Sequence, residues 1–358
     1  MKEQTERVEL AYTYTYFQFT VFFHGDHVFI GKQDRPVGQC CVDIMNLEEA
    51  VLNEIDRRVQ MFVPAAQALL TEKTVQAARN AQEKLNAAWE VIFTLPVYRD
   101  LRMDEPCNYH TFERLLADEE KWSAVQDPAS EGSAMYHGMV DGLVAFATSL
   151  RNFRRQIEVM SERYFEPLTR RNSTAYAEAY SYFYADMAYV GARLFQEDFA
   201  QSFPMEVCFV PMFRDEEETG IFIAEKATFN SLVDFLRTEF YRGLALGNAP
   251  RRCHNCGKYF LLTAGYNTCY CNNIAPGETE RTCRKVGAHR KEAQGKANWT
   301  PAQVEYDRTY NRLKQRKNRR KITVDEWNAA VAQAQELLGR SDRGELTDDE
   351  LTRLLKEL

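Results

Sequence analysis

CHNCGKYFLLTAGYNTCYCNN, residues 253–273, holds four of the chain's nine cysteines, and a fifth, Cys283, follows ten residues later. Cys253-x2-Cys256-Gly257 is the pattern of a zinc knuckle: two thiolates converge on one ion while the glycine permits the tight turn beneath them. Residues 258–262 read as a strand, 264–267 as a turn and 268–271 as a returning strand that carries Cys271 back to the knuckle. RTCRKVGAHRKEAQ (281–294) reads as a helix with Cys283 near its start. The spacing therefore predicts a small finger of knuckle, hairpin and helix around a tetrahedral Zn2+ held by Cys253, Cys256, Cys271 and Cys283. Five cysteines compete for four places, and Cys269, His254 and His289 are the alternatives. Cys271 with Cys283 is preferred, because a Cys269-x-Cys271 pair crowds two ligands and leaves Cys283 idle. A redox Cys-x-x-Cys calls for a thioredoxin-like βαβ setting that the sequence lacks.

Four protein thiolates leave zinc no open position, so the expected role is structural rather than catalytic. In so short a segment the metal supplies about 10 kcal/mol or more of folding free energy, and the region is expected to be disordered without it.

Outside this block the chain reads as an ordinary globular protein. At 358 residues with 45% hydrophobic content it is long enough for two or three units. Its first residues, MKEQTERVEL, show no apolar leader core, and no stretch is apolar enough to span a bilayer, so a cytoplasmic protein without a membrane is expected. In that compartment thiols stay reduced, which makes their clustering the informative property. The net charge of −7 conceals a split: residues 251–358 carry 21 Lys+Arg against 14 Asp+Glu, whereas residues 1–250 carry 24 against 38. Such asymmetry makes the basic end a candidate for polyanions.

AYTYTYFQFTVFFHGDHVFIG (11–31) reads as a β-hairpin turning at His24-Gly25-Asp26. Helical spacing begins near Asn46 and runs to about Ser202, with breaks expected at Pro64, at Pro96 and around 127–133. Within it Tyr176, Tyr180 and Phe183 form a stripe assigned to the core. MEVCFVPMF and GIFIAEKATF (205–213 and 220–229) read as a strand pair around the charged loop RDEEET, and a helix follows to the stop Gly247-Asn248-Ala249-Pro250. His24, His27, His110 and His137 form no ligand or triad pattern, and Cys40, Cys41, Cys107 and Cys208 read as buried small hydrophobes. Three helix starts follow the cysteines, at Thr300, Thr323 and Thr347, each with Gln or Glu three residues on. Trp327, Val331, Ala334 and Leu338 make a stripe that packs the last helices or joins a second copy. The expected domains are 1–249, 250–292 and 293–358, in an α+β, predominantly α-helical chain.

From about Phe240 onward, RRCHNCGKYFLL, YCNN, TCRKVGAH and YDRTYNRLKQRKNRRK occur in the order of a family of bacterial proteins, domain-of-unknown-function family 6076, which this part of the chain resembles. The resemblance implies thiol ligands at Cys253, Cys256, Cys271 and Cys283, leaves Cys269 out, and implies no activity. More distantly, the block is similar to the CGNR zinc finger of bacterial transcriptional regulators. Its last interval is longer and the CGNR tetrapeptide is missing; that likeness implies DNA binding.

On a helix, VEYDRTYNRLKQRKNRRK (304–321) places Tyr306, Tyr310 and Leu313 on one face and Arg308, Arg312, Arg316 and Arg319 on the opposite one. Arginines so spaced repel one another, and phosphates relieve them. Arg284, Lys285, Arg290 and Arg320 extend the same surface. A solvated face, or one paired with the acidic N-terminal region, is the plainer alternative. No GxGxxG, P-loop, HExxH or GxSxG motif occurs, so no enzyme activity is expected. The leading expectation is a regulatory nucleic-acid-binding protein, with DNA favoured over RNA. The alternative is a protein-interaction module whose zinc is only structural.

Overall fold

The computed structural model describes residues 18–101, 112–194, 202–213 and 220–358, with backbone only over 187–194. They fall into two compact units, Met1–Cys271 and Asn272–Leu358. The whole is α+β and mostly helical, as expected.

In the first unit, β1 (Phe19–His24) and β2 (His27–Ile30) make the expected hairpin across Gly25-Asp26. The part of that segment before Gln18 lies outside the described residues. Alternation sends Phe19, Val21 and Phe23 of β1 and Val28 and Ile30 of β2 into the core. A third strand, β3 (Gln33–Pro36), has too polar a sequence to be read in advance. The expected pair forms as β4 (Met205–Phe213) and β5 (Ile221–Phe229), and it joins the first hairpin in one antiparallel sheet of order β3-β2-β1-β5-β4. Phe19 stands opposite Phe229 in the β1–β5 ladder. The loop RDEEET lies outside the described residues.

Helices α1 (Gln39–Met45), α2 (Glu49–Glu72), α3 (Val75–Ile92), α4 (Pro96–Asp100), α5 (Phe112–Ala117), α6 (Glu119–Gln126), α7 (Glu131–Met160), α8 (Ser173–Leu194) and α9 (Leu232–Leu246) complete this body. A π-helical turn, Ser161–Phe165, extends α7. The break expected at Pro64 does not occur: α2 passes through it, because Leu52, Ile55, Val59, Phe62, Ala66 and Leu69 form one buried stripe whose packing offsets the lost backbone hydrogen bond. Pro96 opens α4 and Ser130 caps α7, so the other two breaks are real. Tyr176 and Phe183 are fully buried and Tyr180 packs against them, as the core assignment required. Cys40 and Cys41 are buried, but Cys208 is exposed, because side chains on both faces of the edge strand β4 are largely open to solvent. Cys107 and His110 lie outside the described residues. The His24 ring lies against Phe222, centroids 4.3 Å apart and tilted by 42°, and His27 bonds Asp34 at 2.6 Å. Two short strands, β6 (Ala249–Arg252) and β7 (Tyr259–Leu262), close the unit.

The second unit holds α10 (Cys283–Lys296), α11 (Pro301–Asn318), α12 (Val324–Asp342) and α13 (Asp348–Lys356). All three expected capping boxes form, at Thr300, Thr323 and Thr347. Ala302, Ala334, Leu337, Leu351 and Leu355 make its core. Of the expected stripe, Ala334 is buried, while Leu337 takes the place given to Leu338, which packs at the margin. No helix among the described residues is long and apolar enough to cross a membrane.

One buried carboxylate organises the first unit. Helix α1 starts at Gly38, whose φ of +102° suits glycine and whose Cβ, if present, would lie 2.8 Å from Leu261 Cδ1. No local side chain caps this helix. Glu239 of α9 does so instead: its Oε1 accepts from the Gly38 and Cys40 N–H groups at 3.0 Å each, and its Oε2 from Cys41 N–H at 2.9 Å. Burial pushes the carboxyl up to about 7, against the lowering effect of those three donors. The folded state thus holds a proton that the unfolded chain, with its carboxyl near 4.5, releases. Stability from this group is full below the unfolded value and falls as pH rises through the window up to about 7. Glu239→Ala leaves three buried donors without an acceptor and is expected to cost roughly 3 kcal/mol in chemical denaturation. Glu239→Gln is expected to flatten the fall in unfolding free energy between these pH values relative to wild type.

Candidate metal centre

The cysteine block starts where α9 ends. Gly247 closes the helix at φ +87°, and the chain passes directly into β6. Strands β6 and β7 pair antiparallel with Arg252 opposite Tyr259, and the knuckle lies between them. Cys253 N–H donates to Lys258 O at 2.8 Å, and Gly257 N–H to Cys253 O at 2.9 Å; Gly257 takes φ +75°. The returning strand expected at 268–271 does not form. β7 is already paired with β6, and the Thr268 hydroxyl captures Tyr270 N–H at 3.2 Å, so this stretch is irregular. It reaches the knuckle all the same: His254 N–H donates to Cys269 O at 2.9 Å, and Cys271 N–H to Cys253 Sγ at 3.4 Å. Cys283 is the first residue of α10, after the cap Thr282.

The Sγ atoms of Cys253, Cys256, Cys271 and Cys283 all lie within 4.8 Å of one another. Among the described residues this is the one grouping of its kind. Cys256 and Cys271 are 3.7 Å apart, against about 3.8 Å for the edge of a tetrahedron with metal–sulfur bonds of about 2.3 Å. The donor set therefore fits a four-coordinate metal ion. Cys253, Cys271 and Cys283 are buried, and Cys256 is half-buried. Burial pushes the Cys253 thiol up, but N–H groups of Cys271, Cys256 and Asn255 together bring it down to about 7, which favours the thiolate a metal needs. Cys269 stays outside the cluster; His254 is engaged with Glu166 at 2.9 Å, and His289 is exposed on α10.

Hydrogen bonds fix the knuckle to the helical body. Asn46, which ends α1, donates to Tyr259 O and accepts from Tyr259 N–H, both at 2.8 Å. Arg251 reaches Glu166 at 3.0 Å and Thr268 O at 2.9 Å, and Arg252 reaches Glu162 at 3.1 Å. Burial raises the Glu166 carboxyl, yet the Arg251 bond and the Arg251, Arg171 and His254 charges hold it below its ordinary value. Ala249 and Tyr259 belong to the main core. The sequence suggested that the whole block depends on metal for its order; in the fold, β6 and β7 also have these anchors to the helical body.

The basic residues divide into two groups. Arg284, Lys285 and Arg290 are exposed on α10. On α11, Arg308 pairs with Glu305 at 3.2 Å, but Arg312 donates to Leu355 O at 2.6 Å and Arg316 to Leu358 O at 2.8 Å. Arg312 thus binds a carbonyl in the last turn of α13, a favourable seat for a cation, and Arg316 binds the chain two residues beyond that helix. Nothing in the local pattern signals this, because the partners lie more than 40 residues away. Arg319 ends α11, and Arg320 follows at φ +55°; both are exposed.

Residues 200–357 match the model of a family of unknown function, DUF6076, and the match takes in the whole cysteine block. No curated protein and no solved structure shows significant similarity to the chain. Elemental analysis of the purified protein is expected to find one metal ion per chain. Cys271→Ser or Cys283→Ser should lower that content at least tenfold, while Cys269→Ser leaves it unchanged. On chelation, hydrogen exchange should rise between residues 263 and 285 and stay slow in β6 and β7.

Proposed function

We propose that this protein binds nucleic acid, DNA in preference to RNA, through a basic helical surface adjoining a structural zinc site, and that it acts in regulation. An all-sulfur, four-fold donor set suits zinc and leaves no position for water or substrate. The observation that carries the reading is α10: it begins at Cys283, a member of the thiol cluster, and turns Arg284 and Lys285 of its first turn and Arg290 and Lys291 further along to solvent. Only Cys283, Val286 and Gly287 of this helix are buried. A helix so little engaged with its own unit, with few acids among its cations, suits phosphate contact. Arg308, Arg319, Arg320 and Lys314 of the α11 region widen the surface. Arg312 and Arg316 serve the fold first and contribute field rather than contacts.

A protein-docking role is the second reading, and one observation favours it. Val207, Phe209, Phe213, Ile221 and Ile223 on the outer part of β4 and β5 are exposed, Phe209 by 71%.

Zinc-loaded full-length protein, titrated with a labelled duplex and a single strand across a salt series, separates the two. Affinity is expected to fall steeply with salt. The triple reversal of Arg284, Lys285 and Arg290 to Glu should weaken binding more than tenfold and reduce the log–log salt slope by about 3. Absence of binding at low salt, or a triple variant that binds as well as wild type, refutes the nucleic-acid reading and leaves the docking role.

A further inference from the structure

Between the end of α10 and the first turns of α11 lies a cleft of about 360 Å3, lined by Trp299, Gln303, Tyr306, Asp307 and Tyr310. It is a shallow, solvent-open depression rather than an enclosed cavity. Four of these residues recur at i, i+3, i+4 and i+7 on α11, and Trp299 precedes them by one turn, so one helix face and the residue leading into it build the whole wall. All five are half-buried. Tyr306 and Tyr310 stand with ring centroids 6.4 Å apart at 30°. The basic helix character of α11 does not account for this face, and the thiol cluster does not include it.

Three aromatic rings with one carboxylate are the composition that recognises an organic cation: the ring faces carry negative potential, and the acid supplies a formal charge. The molecule already illustrates the preference. The Lys296 ammonium lies 5.1 Å from the centroid of Trp299 and 2.8 Å from Asp307 Oδ2, with a second bond of 2.8 Å to Glu292. A primary ammonium of the chain's own thus occupies the neighbourhood of Trp299 and Asp307, and the cleft continues past it along Tyr306 and Tyr310, whose rings also pack against the unit's core and Trp327.

We infer that this cleft is a binding site for an alkylammonium group, of the trimethylammonium type, which replaces Lys296 at Asp307 and packs against Trp299, Tyr306 and Tyr310. The group arrives either on a free small molecule or on a methylated lysine side chain of a protein partner. Lys296 is the internal competitor: it holds the carboxylate until a better-fitting cation displaces it, and it then keeps Glu292 as partner. The inference stands apart from nucleic-acid binding and survives or falls separately.

Calorimetric titration of the full-length protein tests it with four probes: choline, N-acetyl-trimethyllysine amide, the neutral choline isostere 3,3-dimethylbutanol, and guanosine monophosphate. Choline or the trimethyllysine compound is expected to bind at least fivefold tighter than the neutral isostere. Tighter binding of choline identifies a free ligand, and tighter binding of trimethyllysine a protein side chain. Trp299→Ala and Asp307→Asn should each weaken binding at least fivefold, and Tyr310→Phe should retain it, with unchanged thermal midpoints showing that these half-exposed positions do not unfold the protein. Lys296→Ala should bind about threefold to tenfold tighter, because the resident cation is gone. Equal binding of the isostere, binding of guanosine monophosphate alone, no binding of any probe, or no gain in Lys296→Ala overturns the proposal.

Discussion

The carboxylate of Glu239 sits where water does not reach and accepts three backbone N–H bonds from the first turn of a seven-residue helix. That short helix cannot hold itself together. It persists because its N-terminal donors are satisfied from α9 and because Asn46, at its other end, exchanges two hydrogen bonds with the backbone of Tyr259. The β-hairpin that precedes it, α9, and the strand that follows the knuckle are therefore tied to one small element, across some 200 residues of sequence. The position of Cys253 and Cys256 follows from this, since both lie between β6 and β7.

This arrangement changes what a metal has to do. The β6–β7 pair has its own core residues and its own ion pairs to Glu162 and Glu166, and two of the four thiols lie in the knuckle between its strands. Cys271 and Cys283 flank an irregular stretch, and an ion held by all four sulfurs would tie the two ends of that stretch together. A closed set of four sulfurs accords with a stabilising ion and not with a catalytic one.

Local chemistry made much of this readable from the residues. The three Thr capping boxes, the Gly25-Asp26 turn and the knuckle each depend on groups within a few residues of one another, and each appears where expected. The four cysteines singled out by spacing are the four whose sulfurs converge. What failed to show was long-range. Pro64 looks like a helix end until the buried stripe of α2 is known to pack on both sides of it. Residues 268–271 look like a strand until β7 is seen to have taken β6 as its partner. In both cases a distant partner outweighed a sound local preference. The partners of Arg312 and Arg316, Leu355 O and Leu358 O, are equally distant and equally absent from the local pattern.

The centre of the account is that four thiolates and nothing else surround one ion. Cobalt(II) titration of the metal-free protein reads this directly, because tetrahedral thiolate coordination gives intense d–d and sulfur-to-metal charge-transfer absorption. One equivalent is expected to produce that spectrum, zinc to abolish it, and Cys283→Ser to change it. The weak absorption of an octahedral ion, or a spectrum indifferent to Cys283→Ser, would contradict the account.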